Sequence, residues 1–135
     1  MKRRFEVAVD MNMNILIVDD YTTMLRIIKN LLKQLGFNNV DEATDGSMAL
    51  EKVKKKSYGL IISDWNMEPM TGIDFLKEVR AANESYKDTP FIMITAESKT
   101  ENVIAAKQAG VNNYIVKPFN AETLKTKMSS VLGDF

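Results

Sequence analysis

The sequence predicts an α/β protein built on a five-stranded parallel sheet with helices on both faces, and three observations predict it. Short apolar runs alternate with stretches of helical periodicity five times between Asn14 and the C-terminus. Three of the runs, Ile15-Leu16-Ile17-Val18, Leu60-Ile61-Ile62 and Phe91-Ile92-Met93-Ile94, are uniformly apolar, as strands covered on both faces must be. Each then stops at polar residues: Asp19-Asp20, Ser63-Asp64 and Thr95-Ala96, while a fourth run, Tyr114-Ile115-Val116, stops at Lys117-Pro118. Ligands bind outside the carboxyl ends of strands in open parallel sheets, so this edge would gather three carboxylates, a hydroxyl and an ammonium.

Taken in order, residues 1–12 fall outside the pattern. Phe5, Val7 and Val9 alternate with Glu6, Ala8 and Asp10, which would suit a marginal extra strand, but a loosely ordered tail preceding a single domain at 13–135 is the expectation. After the first strand, Met24, Ile27, Ile28, Leu31, Leu32 and Leu35 keep helical spacing and Gly36 supplies the stop. Val40 to Ala43 is a short strand whose Asp41 and Glu42 suit a sheet edge. Asp45-Gly46-Ser47 opens a second helix through Ala49, Leu50 and Val53, ending in Lys52 and Lys54 to Lys56, a solvated end that complements the helix dipole. Asn66 to Gly72 is a loop held by Pro69 and Gly72, and a third helix carries Ile73, Leu76 and Val79 inward. Asn83 to Pro90 is polar loop. A fourth helix, from about residue 99 to Ala109, offers only Val103, Ile104 and alanines for burial, so it packs weakly and shifts easily. The fifth begins after Asn120, a good N-cap, with Glu122 in its first turn and Leu124, Met128, Val131 and Leu132 facing inward. With the charged second run at an edge and the first, third and fourth central, the strand order is 2-1-3-4-5, the flavodoxin-like doubly wound (βα)5 arrangement.

Composition narrows the chemistry. The chain has 135 residues, enough for one core, and its 18 basic residues balance 18 acidic ones, so no overall field favours nucleic acid or an anionic membrane. No cysteine and no histidine are present, which excludes disulfides, thiol and Ser-His-Asp catalysis, histidine- or thiolate-bound zinc, and a phosphohistidine on this chain. The nine methionines fall mostly at core spacing and read as packing. No run approaches the roughly 18 apolar residues of a membrane span, and Glu6 and Asp10 interrupt the stretch a signal peptide would need, so a monomeric cytoplasmic protein is expected.

The acidic edge sets the chemistry that remains. Taken alone, Asp19 or Asp20 would serve as an N-cap for the helix beginning near Thr22. Gathered with Asp64 they repel: two unit charges 4 Å apart cost about 4 kcal/mol at an effective dielectric near 20. A lysine or a divalent cation relieves this, and an all-oxygen donor set selects magnesium or manganese over zinc.

These residues carry a resemblance. Ile17-Val18-Asp19-Asp20, Leu35-Gly36-Phe37-Asn38-Asn39-Val40, Ser63-Asp64-Trp65-Asn66-Met67, Thr95-Ala96-Glu97 and Val116-Lys117-Pro118-Phe119 resemble the receiver domains of two-component response regulators, and among them the stand-alone chemotaxis regulators, from Asn14 onward. The resemblance implies that Asp64 is the phosphoacceptor and that Asp19, Asp20, Asp64 and the Asn66 carbonyl bind Mg2+. It implies that Thr95, the Ala96 amide and Lys117 hold phosphoryl oxygens, that Thr95 and Tyr114 form the switch, and that Asn66 and Glu97 tune hydrolysis. Lys117-Pro118 would be a cis bond. The donor would be a phosphohistidine on a sensor histidine kinase, and the output a flagellar motor switch protein bound at a face of the fourth helix, fifth strand and fifth helix that includes Val103, Ile104 and Tyr114. A phosphatase is a further possible partner. The chain would be a signalling switch, catalysing only its own phosphotransfer and dephosphorylation. Because the sequence stops after the fifth helix, signalling is expected to pass through a surface; a phosphate sink or phosphorelay shuttle would carry the same site. A haloacid-dehalogenase-type phosphatase would want an acid where Asn66 stands, and a flavin binder would want a phosphate cradle where Asp19-Asp20 stands. One departure stands out: the family's Met-Pro-x-Met-x-Gly is here Met67-Glu68-Pro69-Met70-Thr71-Gly72, which sets a fourth carboxylate near the metal site. The Asn83 to Asp88 loop is one residue longer than usual, a change expected to be neutral.

Overall fold

In the computed structural model, residues 9–96 and 100–135 are described. Ten elements alternate: β1 (Ile15–Val18), α1 (Thr22–Gln34), β2 (Val40–Ala43), α2 (Gly46–Lys55), β3 (Leu60–Asp64), α3 (Gly72–Ala81), β4 (Phe91–Thr95), α4 (Thr100–Ala109), β5 (Asn113–Val116) and α5 (Ala121–Leu132). The strands form one parallel sheet in the order β2-β1-β3-β4-β5, as the polarity of the runs predicts.

Alternation within each strand divides the core in two. Ile15, Ile17, Leu60, Ile62, Ile92 and Ile94 face α1 and α5, where Leu25, Ile28, Leu32, Leu124 and Met128 meet them. Leu16, Val18, Ile61, Phe91 and Met93 face the other way, onto Val53 of α2 and Phe75, Leu76 and Val79 of α3. Every residue of β1, β3 and β4 is buried, which is why these runs read as continuously apolar.

Local signals set the helix ends. Asp45, Thr71 and Asn120 cap α2, α3 and α5 by accepting the amide hydrogens of Met48, Asp74 and Thr123. Gly36 and Gly110 follow α1 and α4 with φ of 104° and 97°, a left-handed turn that favours glycine. Three details differ from the sequence reading. Gly72 is the first residue of α3 rather than part of the preceding loop, because Thr71 caps the helix one residue earlier. The cap role open to Asp19 or Asp20 taken alone is not realised, in keeping with the cluster reading: the N-cap of α1 is Tyr21, which makes no side-chain cap bond. Lys56 at the end of α2 is not merely solvated; it reaches Asp41 at 2.9 Å. Residues 9–12, grouped with the tail by sequence, lay Val9 and Met11 against the α1–α5 core. Lys117-Pro118 is cis, as expected, and Glu68-Pro69 is cis as well.

Candidate functional site

The carboxyl ends of β1, β3 and β5 bring their polar residues together. Asp19 and Asp20 follow β1, Asp64 closes β3 and Lys117 follows β5. Each of Asp19, Asp20 and Asp64 offers a carboxylate oxygen within 4.8 Å of the others. The Lys117 ammonium lies 2.9 Å from Asp64 Oδ1 and 3.7 Å from Asp19 Oδ2. Asp19 and Asp64 are buried while Asp20 is exposed, so the cluster opens on one side. There Asp20, Asn66, Met67, Glu68 and Thr71 line a cleft of about 330 Å³.

The backbone around Asp64 is fixed closely. The Trp65 amide donates to the Ile94 carbonyl at 2.9 Å and the Gly72 amide to the Trp65 carbonyl at 2.9 Å. The Ser63 hydroxyl, fully buried, donates to the Asp64 carbonyl at 3.0 Å. A Cβ on Gly72 would be driven into that carbonyl, so the first turn of α3 can lie against the strand end only with glycine there. Sequence reasoning passed over Ser63 and this use of Gly72. Glycine at the start of a helix, where it is a poor helix former, was the available signal.

Electrostatics make the site demanding. Burial raises the Asp64 pKa above its ordinary value and Asp20 adds to the rise, against the Lys117 hydrogen bond and charge. Burial likewise raises Asp19, with Asp64 adding; the Tyr21 amide, donating to Asp19 Oδ1 at 2.9 Å, opposes it. Burial works against the Lys117 charge, yet Asp64 and Asp19 outweigh it and hold the ammonium above its ordinary pKa. Asp19 Oδ2 is the telling atom: it is buried and accepts no hydrogen bond among the described residues. A buried carboxylate oxygen left in that state is unfavourable unless a cation meets it, and the Lys117 ammonium, 3.7 Å from it and 2.9 Å from Asp64 Oδ1, does so only in part. An all-oxygen cluster with one orphaned buried oxygen and an open side fits a hard divalent cation that keeps part of its water shell.

The other residues singled out by sequence divide. Thr95 is buried at the end of β4, where its carbonyl accepts the Lys117 amide at 2.8 Å, and Ala96 follows it, exposed. Asn66 is exposed at the cleft. Tyr114 and Val103 line a small cavity behind Thr95, away from the acidic cluster, and Ile104 points outward, 48% exposed. Lys127 of α5 lies over the Tyr114 ring at 5.1 Å, a contact no sequence spacing announces. Glu97 lies outside the described residues.

A parallel 2-1-3-4-5 sheet with this cluster at its carboxyl edge defines a class, and the comparisons agree with it. The family model for the response regulator receiver domain matches residues 15–129. The chemotaxis protein CheY-3 of Vibrio cholerae serotype O1 is 56% identical over 126 residues, 93% of this chain and 96% of that protein. The chemotaxis protein CheY of Pseudomonas aeruginosa is 53% identical over 119 residues, 88% and 95% of the two chains. The solved chemotaxis response regulator CheY4 of Vibrio cholerae superposes with a TM-score of 0.81 at 39% identity, covering 89% of this chain and 99% of that one. The receiver domain of the Pseudomonas aeruginosa sensor histidine kinase PA1611, solved with a magnesium ion coordinated in its active-site cleft, gives 0.82 at 28% identity, covering 91% and 99%. The chain belongs to the response regulator receiver family. Within that family it is a receiver domain of the CheY type, a signalling switch rather than a conventional enzyme.

Proposed function

We propose that this chain is the phosphoacceptor switch of a two-component chemotaxis system, acting in the cytoplasm. A sensor histidine kinase supplies a phosphohistidine; an Asp64 carboxylate oxygen attacks the phosphorus, the P–N bond breaks with its electron pair returning to the imidazole, and an aspartyl phosphate forms. The observation that carries this reading is the buried Asp64 carboxylate 2.9 Å from Lys117, beside an Asp19 oxygen with no hydrogen bond. Phosphoryl transfer asks a protein mainly for positioning and charge neutralisation. Asp64 is held in place through its backbone by Ser63, Gly72 and the β4 ladder.

Asp19, Asp20, Asp64 and the Asn66 carbonyl would hold Mg2+, which supplies neutralisation of phosphoryl oxygens when bound. Lys117 gives up its contact with Asp64 Oδ1 to meet a phosphoryl oxygen, and the Thr95 hydroxyl and Ala96 amide meet others. Asn66 and Glu97 orient water for hydrolysis, alone or with a phosphatase. The added charge of about −2 draws on Thr95, and Tyr114, sharing a cavity with it, passes the change to a face including Val103 and Ile104. That face binds the flagellar motor switch protein.

Trp65, the one tryptophan and the neighbour of Asp64, reports the first half of this. Its fluorescence should respond to Mg2+ and then, separately, to acetyl phosphate, with the second response absent in Asp64→Ala. No donor response in the unmodified chain would overturn the phosphoacceptor role. A phosphorylated chain that binds no motor-switch peptide would instead be a sink or shuttle.

A further inference from the structure

Tyr114 stands on β5, the last strand of the sheet, and two different neighbours bound it. With Trp65, Met93, Thr95, Val103 and Ala106 it lines a cavity of about 10 Å³, room for a single water and too little to take in an aromatic ring. Over the ring stands the Lys127 ammonium of α5, 5.1 Å from the centroid. That lies inside the roughly 6 Å at which the negative face of an aromatic ring attracts a cation.

Asn113 and Ser130 fix the root of that lysine. Asn113 Oδ1 accepts the Tyr114 amide at 2.8 Å, and Asn113 Nδ2 donates to Ser130 Oγ at 2.6 Å. The Ser130 hydroxyl donates in turn to the Lys127 carbonyl at 2.7 Å. A main-chain amide only donates and a carbonyl only accepts, so the circuit assigns every atom in it. The Asn113 oxygen faces the strand, its amide nitrogen faces the helix, and the one Ser130 proton points back along α5. The loop is closed: it runs from the Tyr114 amide through two side chains to the Lys127 main chain, and returns through the ammonium to the Tyr114 ring. A lysine stem is flexible, and a root tied to the same strand as its target favours this contact over others open to it.

We propose that Lys127 is a positioning residue for Tyr114: its ammonium, rooted by the Asn113–Ser130 bridge, holds the ring in its place over the cavity and sets how readily the switch leaves that place. This deepens the receiver reading and rests on it for the event that moves Tyr114. Lys117 holds Asp64 at 2.9 Å, a contact the phosphoryl group would displace, so this ring position belongs to the arrangement before transfer. A contact made in one arrangement and broken in the other shifts their balance by its own strength and no more. For a part-exposed cation over a tyrosine that is about two- to fivefold. Lys127 thus trims the switch; the phosphoryl group drives it.

Fluorine NMR on the full chain carrying 3-fluorotyrosine tests this, with the Tyr114 signal identified by its loss in Tyr114→Phe. Mg2+ and acetyl phosphate should shift that signal, and mass spectrometry of the same samples gives the fraction of Asp64 phosphorylated. At equal phosphorylation, Lys127→Met should raise the ratio of shifted to unshifted Tyr114 about two- to fivefold. Lys127→Arg, which keeps a cation over the ring, should return the ratio to that of the unmodified chain, and Ser130→Ala should raise it by less than Lys127→Met. Without Mg2+ or phosphodonor, a double-mutant cycle of Tyr114→Leu and Lys127→Met, followed by urea unfolding, should show a coupling of about two- to fivefold in the unfolding equilibrium. Absence of that coupling would overturn the proposal, as would an unchanged ratio in Lys127→Met. So would Lys127→Arg matching Lys127→Met, since the charge would then play no part. If Asp64 is phosphorylated and the Tyr114 signal stays, this proposal falls with the switch role of Tyr114 while the phosphoacceptor role stands. If acetyl phosphate phosphorylates nothing, the receiver reading fails, and the cycle still decides whether Lys127 holds the ring.

Discussion

Two aspartate–lysine pairs sit on this sheet at the same separation, and they behave oppositely. Lys117 lies 2.9 Å from Asp64 at the carboxyl edge, and Lys56 lies 2.9 Å from Asp41 at the β2 edge. Asp41 stands a third exposed, with the Tyr58 hydroxyl donating to the same oxygen at 2.7 Å, and its pKa falls, chiefly through the Lys56 hydrogen bond. Asp64 is buried among like charges, and burial raises its pKa despite its lysine. Burial likewise pushes the Tyr58 hydroxyl up, with Asp41 helping to keep it protonated. The edge pair is a finished contact. The rim pair is one cation short, and this difference, not the presence of an ion pair, separates a site from a staple.

The most drastic way to break the comparison is to neutralise one acid of each pair. Asp64→Asn should abolish the donor-dependent Trp65 response, and Asp41→Asn should leave it intact while lowering stability by up to about 1 kcal/mol, as expected for a half-exposed pair. Equal loss in the two variants, followed by Trp65 fluorescence and urea unfolding, would show that the pairs are equivalent.

Mg2+ sharpens the contrast at a smaller scale. At a hundredfold over its dissociation constant a ligand specific for the folded state stabilises it by about 2.7 kcal/mol. Urea midpoints of the unmodified chain should shift accordingly, and Asp19→Asn should lose most of the shift while being more stable than the unmodified chain in EDTA, because it removes the charge from a buried carboxylate whose Oδ2 accepts no hydrogen bond among the described residues. A metal-free Asp19→Asn protein less stable than the unmodified one would count against that account.

The same pairs set opposite pH dependences. Asp19 and Asp64 titrate higher folded than unfolded, so their contribution is complete below the ordinary 3.8 and is lost as pH rises through their raised values. Asp41 titrates lower folded than unfolded, so its contribution is present above 3.8 and is lost as pH falls through its lowered value. Metal-free stability should therefore peak on the acidic side of neutrality. Asp19→Asn should flatten the alkaline descent and Asp41→Asn the acid one; parallel curves for all three proteins would refute the assignment.

The sheet and the rim were legible because parallel strands expose their burial as unbroken apolar runs and because the runs that reach the rim end in the polar residues gathered there. Asp19, Asp20, Asp64 and Lys117 needed only strand order to be brought together. Ser63 and Lys127 were not legible, since each acts through partners far away in sequence or through a backbone carbonyl, and no residue type marks such an acceptor. Gly72 shows the intermediate case: its type was visible, its partner was not. At the entry to α1, Asp19 spends one oxygen on the Tyr21 amide without capping the helix, which agrees with reading it as part of the acidic cluster rather than as a cap.

Glu68 gives the smallest and most local test. It is exposed at the cleft that holds Asp20 and Asn66, at the position where the sequence departs from the receiver motif Met-Pro-x-Met-x-Gly that it otherwise resembles. A carboxylate there attracts a divalent cation through water, where a charge pair 4 Å apart gains about 1 kcal/mol and salt screens much of it. Glu68→Pro should therefore weaken Mg2+ binding a few-fold at low ionic strength, with the difference shrinking as salt is added, whereas Glu68→Gln should reproduce the loss without altering the backbone. Unchanged affinity in both variants would assign the departure from the family motif to the loop alone. A loss in Glu68→Pro that Glu68→Gln does not share would place the effect in the backbone rather than in the charge.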